Sequence, residues 1–122
     1  MKKELLEKIE SLYEMGKYQE IIDSISELGY SLSAQGKYEE AIEKFEYILS
    51  LEVEDEGNLE FVYSQLGWCY RLLGNSKKAL EYLNKAKEEG RNDTWLNKEI
   101  GICYKNLDKK ENLKNEISDL EI

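Results

Sequence analysis

The most reactive side chains in the sequence are two thiols, Cys69 and Cys103, standing 34 residues apart. A redox couple or a metal centre would need a C-x-x-C spacing or histidine partners, and the sequence has neither. Without His the usual general base at neutral pH is also missing. Carboxylates abound, but they fall on helix faces expected to be solvated. The acidic run Glu52-Val53-Glu54-Asp55-Glu56-Gly57 lacks the D-x-D-x-D-G order of a calcium loop and reads as a solvated connection. Phosphate loops, dinucleotide fingerprints and nucleophile elbows are absent. The sequence therefore predicts no catalytic, cofactor or metal residues, and an enzyme in its own right is the last of the function classes.

Composition narrows the partners. A chain of 122 residues has room for one domain, and 41% hydrophobic with 11% aromatic residues can bury a modest core. The formal charge is −9, from 26 acidic and 17 basic residues. Nucleic acid and anionic membrane are excluded as expected partners, because both need clustered Lys and Arg. Met1-Lys2-Lys3 opens like a secretion signal, but Glu4, Glu7 and Glu10 interrupt it and no apolar segment follows. The cytoplasm is the expected location.

The elements that position these residues follow from glycine and from helical spacing. There is no proline, so helices can run unbroken between turns. Gly16, Gly36, Gly57, Gly74 and Gly90 separate stretches with helical apolar periodicity. Seven helices are expected, near 2–15, 18–35, 38–53, 58–73, 76–89, 93–106 and 109–121. Asn75 or Ser76, Asp93 and Asp108 are candidate N-caps, and Asp108 with Glu111 has capping-box spacing. A motif returns at matching positions: Ile25-x-x-Leu28-Gly29-x-x-Leu32, Tyr63-x-x-Leu66-Gly67-x-x-Tyr70 and Asn97-x-x-Ile100-Gly101-x-x-Tyr104. Each copy precedes a second apolar pair, Ala41 and Phe45, Ala79 and Leu83, then Leu113 and Ile117. Gly67 and Gly101 are 34 residues apart, Gly29 and Gly67 38, so four extra residues lie between about Leu49 and Tyr63.

This period, with a large residue, then Leu-Gly, then an aromatic, resembles the tetratricopeptide repeat, whose helical hairpins stack into a solenoid. The resemblance implies an all-α fold, a right-handed α-solenoid of about seven helices in three hairpins. Residues 1–21 would be an N-terminal capping helix and turn, 22–56 repeat 1, 57–92 repeat 2 and 93–122 a degenerate repeat 3. Gly29, Gly67 and Gly101 would admit close helix approach, with Leu28, Leu66 and Ile100 between the paired helices and Tyr70 and Tyr104 packed by their rings. Cys69 and Cys103 would be small buried side chains, reduced and unreactive.

In the family the first helices of the hairpins line a concave groove. The resemblance carries that role here to Ser26, Tyr30 and Ser33, then Phe61, Ser64, Trp68 and Arg71, then Trp95, Lys98, Ile102 and Lys105. The carboxylate clamp known in the family is not expected, since Tyr30, Trp68 and Ile102 stand where it would want Asn. What the resemblance implies is a protein-interaction module or scaffold that binds a peptide or helix on an aromatic groove bearing a few cations. The alternatives are self-association through the apolar stripe Leu113, Ile117, Leu120 and Ile122, and an accessory role in an enzyme complex.

Overall fold

The structure, a computed structural model, describes residues 2–14, 17–51 and 59–120. Among these residues it contains six α-helices and no strand: α1 Lys2–Glu14, α2 Tyr18–Ala34, α3 Tyr38–Ser50, α4 Leu59–Leu72, α5 Ser76–Glu88 and α6 Thr94–Leu120. The acidic connection at 52–57, Gly16 and Ile122 lie outside the described residues. Each helix packs on the next in sequence; in addition α2 touches α4, and α4 touches α6.

Three turns share one mechanism. Gly36, Gly74 and Gly90 adopt φ of 80°, 87° and 106°, a left-handed conformation that costs a side-chain-bearing residue about 1–2 kcal/mol. The N–H of Lys37 bonds back to the Leu32 carbonyl at 2.9 Å and that of Gly36 to Ser33 at 3.0 Å. Asn75 and Gly74 repeat the pair on Tyr70 and Arg71, both at 2.9 Å. Arg91 and Gly90 repeat it on Ala86 and Lys87, at 3.1 and 3.0 Å. These doubled bonds satisfy the terminal carbonyls of α2, α4 and α5 and reverse the chain. On the far side of two turns a side chain caps the new helix: Asn75 Oδ1 accepts from the Lys78 N–H at 3.1 Å, and Asp93 Oδ1 from the Leu96 N–H at 2.8 Å.

Close approach follows where the turn forms. A Cβ on Gly29 would lie 2.8 Å from the Phe45 ring; on Gly67 it would lie 2.5 Å from Leu83 and 3.2 Å from the Ala79 carbonyl oxygen. Phe45, Leu83, Ala41 and Ala79 are fully buried. The core has two adjoining parts. One is built on Ile21, Ile25, Phe45, Val62 and Leu66 and the other on Ala79, Leu83, Leu96 and Cys103, with Tyr70 packed against both.

The last hairpin departs from the expectation. Helices 93–106 and 109–121 are one continuous α6, so the described count is six and the third repeat has no second helix beside its first. The cause lies at Asp108, 34 residues after Gly74: it has a Cβ where the earlier turns use a left-handed glycine, and Lys109, Lys110 and Glu111 favour helix. Asp108 is consequently inside a helix and not its cap. With no partner helix, a Cβ on Gly101 would meet nothing within 4 Å, and Tyr104 is 55% exposed. The expectation of close packing at Gly101 and of a packed Tyr104 ring is corrected accordingly.

Candidate protein-binding groove

The first helices α2, α4 and α6 carry the residues that the repeat assigns to binding. Between α2 and α4 a cleft of about 470 Å³ is lined by Asp23, Ser26, Glu27, Tyr30 and Phe61. Tyr30 is 58% exposed. Phe61 is half-buried, edge-on to Phe45 with ring centroids 6.3 Å apart, which fixes its orientation from beneath. Among the described residues the Ser26 hydroxyl and Gln65 Oε1 are buried without a hydrogen-bond partner.

Farther along α4, Trp68 is half-buried and stands edge-on to Tyr38 of α3, with centroids 5.8 Å apart and planes at 89°. Three residues of the expected set, Ser64, Arg71 and Ser33, behave differently. Ser64 is fully buried and its hydroxyl donates to the Glu60 carbonyl at 2.7 Å, so it offers no surface contact. Arg71 is not a free cation: its Nε and Nη2 both donate to Glu99 of α6, the latter at 3.0 Å, forming a bidentate pair. Glu99 is almost wholly buried, and the pair ties α4 to α6. Ser33 is also buried, donating to the Tyr30 carbonyl at 2.8 Å.

On α6, Trp95 is half-buried beneath the Arg91 guanidinium, 4.7 Å from its ring centroid. Arg91 also donates to Asp93 at 2.9 Å. Asp93 is held below the ordinary carboxylate range, first by the Leu96 N–H that it caps and then by Arg91. Ile102 is half-buried, while Lys98 and Lys105 are exposed. These three lie 34 residues after Trp68, Ser64 and Arg71 respectively, and so carry the register of the α4 face onto α6.

Two features escaped the sequence. Glu99 is an acid at helical spacing among the buried Leu96 and Cys103, a pattern that calls for a cation on a neighbouring helix. On another part of the surface Tyr70 stacks on Tyr82 (5.7 Å, 9°) and Tyr82 on Tyr63 (6.1 Å, 26°), with Lys85 over the last two rings. Tyr70 donates to Glu46 of α3 at 2.8 Å, so this stack joins α3, α4 and α5. Both cysteines are buried free thiols. Burial pushes Cys69 up to about 11; burial and the Glu99 charge raise Cys103.

The geometry offers no described helix long and apolar enough to cross a membrane, and a face built from first helices of successive hairpins. A search of curated proteins finds no match. The family model for the tetratricopeptide repeat matches residues 20–88, more than half of the chain. That span runs from the first turn of α2 to the last residue of α5, across the two hairpins that close on their glycines. The chain belongs to the tetratricopeptide repeat family.

Proposed function

We propose that this chain is a cytoplasmic protein-interaction module, a short right-handed solenoid that binds a segment of another protein across α2, α4 and α6. Proteins of this repeat family act in protein–protein interaction, and the observation that carries the site is the α2–α4 cleft. There the exposed Tyr30 and the braced Phe61 meet beside the carboxylates of Asp23 and Glu27. Tyr30, Phe61 and Trp68 supply apolar area at low entropic cost, the residue chemistry of interface hot spots. Asp23 and Glu27 lie at the α2 end, and Lys98 and Lys105 at the α6 end. A ligand segment with basic groups toward α2 and acidic groups toward α6 would be oriented by this difference, more strongly at low salt. Chemistry on the bound segment is not part of the proposal, and neither a cofactor nor a metal is.

Affinity capture from the source lysate tests it. The parent chain should retain a partner that Tyr30→Ala and Trp68→Ala each lose by roughly 30-fold, the equivalent of about 2 kcal/mol. Circular dichroism should show the helices intact. A partner held equally by the parent and both variants would place the binding surface elsewhere.

A further inference from the structure

The α2–α4 cleft carries one sign of charge. Four of its lining residues, Asp23, Ser26, Glu27 and Tyr30, come from α2, and Phe61 closes it from α4. At 100° per residue the four fall within a sector of about 100°, so Asp23 and Glu27 stand on adjacent turns with Tyr30 beside them. No Lys or Arg lines the cleft. Between Tyr18 and Ala34, α2 holds Glu20, Asp23 and Glu27 and no cation. Lys17, just before it, pairs with Glu20 at 3.8 Å. Every Lys and Arg of the chain is among the described residues, and none forms an ion pair with Asp23 or Glu27. Like charges four residues apart on a helix repel, so the free protein holds an attraction for a cation that its own side chains leave unmet. Gln19 donates to Asp23 Oδ1 at 2.9 Å, which steadies that carboxylate on the helix surface.

Rings and carboxylates together select the cation. Tyr30 is 58% exposed, and Phe61 is held edge-on by Phe45. The face of an aromatic ring attracts a cation laid over it. A guanidinium is planar and presents a rigid fork of donors, so it can lie against a ring while it bonds carboxylates. A lysine ammonium, compact and strongly hydrated, fits that double role less well. At about 470 Å³ the cleft has room for one long side chain and not for a helix. We infer that the α2–α4 cleft seats an arginine side chain of the bound segment, its guanidinium between Asp23 and Glu27 and its stem along Tyr30 and Phe61. The seat presupposes the first-helix binding face proposed above and gives the α2 end of that face one recognised side chain.

Titration of the isotope-labelled chain with acetyl-Gly-Arg-Gly-amide, followed by nuclear magnetic resonance, tests the seat. Amide shifts at Asp23, Glu27, Tyr30 and Phe61 should saturate, with a Kd in the millimolar range that suits a single seated side chain. The same peptide with citrulline for arginine keeps the shape and loses the charge; it should bind about ten-fold more weakly, and the lysine peptide about three-fold. Asp23→Asn combined with Glu27→Gln should weaken the arginine peptide about ten-fold. Both carboxylates are exposed, so circular dichroism should show the helices intact. Absence of saturable shifts at these residues overturns the inference, as does citrulline or lysine bound as well as arginine. Affinity capture with the same double variant separates two failures. A partner kept by the double variant but lost by Tyr30→Ala and Trp68→Ala removes the arginine seat and leaves the binding face standing. A partner kept by all of these variants removes the face as well.

Discussion

At the scale of single residues, the three motif glycines separate two roles that their shared position had merged. Gly67 has no room for a Cβ, while Gly101 has nothing near it. Gly67→Ala should therefore cost about 1–3 kcal/mol through forced displacement of Leu83 and the α5 backbone. Gly101→Ala should gain about 0.5–1 kcal/mol by relieving glycine's entropy cost in a helix. Urea midpoints compare the two directly, and a loss of stability in both would contradict the packing account.

The thiols make a second residue-scale prediction. Cys69, Cys103, Tyr70 and Tyr82 are acids whose pKa values folding raises, chiefly by burial. The native state holds these protons more tightly, so the stability they lend is complete below the unfolded thiol value of 9.0. It is lost as pH rises from there through about 11 for Cys69. Native thiol labelling at pH 8 should be slow and should become fast in denaturant. Rapid native labelling would show that the thiols are not packed.

At the scale of elements, the Arg71–Glu99 pair is the polar joint between α4 and α6. Removing only Glu99, as Glu99→Leu, leaves the Arg71 guanidinium without its partner and should cost about 3 kcal/mol. The double variant Arg71→Met with Glu99→Leu should recover most of that loss, because replacing a buried pair by apolar groups is often near neutral. Chemical denaturation of the four proteins of this cycle gives the coupling. Additive losses would mean that the two side chains do not act as a pair.

The elements also show what a sequence can disclose. Five helices were legible because Gly36, Gly74 and Gly90 punctuate them and the apolar residues between recur at helical spacing. The sixth was misread because Asp108 with Glu111 matches a helix start, and both residues are equally at home inside a helix. What separates the cases is the need for a left-handed residue at the turn, which Gly74 meets and Asp108 does not. For the site, the 34-residue register put Phe61 with Trp95, and Trp68 with Ile102, on equivalent positions. It could not reveal that Arg71 is taken by Glu99, since that contact joins different helices 28 positions apart. Nor could it show that Ser64 is buried against its own helix.

At the scale of the whole molecule, two closed hairpins and an extended third first helix make a body with two kinds of surface. One is the face across α2, α4 and α6; the other is the solvated arm of α6. Against a net charge of −9, Lys98 and Lys105 are local exceptions on the α6 end of that face.

The central claim, that binding occurs on the face of the first helices, is tested most directly by amide-shift mapping. The isotope-labelled chain is titrated with the captured partner segment and followed by nuclear magnetic resonance. Shifts should concentrate at Tyr30, Phe61 and Trp68 and extend toward Ile102, while the exposed positions of the second helices, Glu39, Tyr47, Lys77 and Glu81, stay still. Shifts centred on α3 and α5, with α2 and α4 silent, would contradict the account.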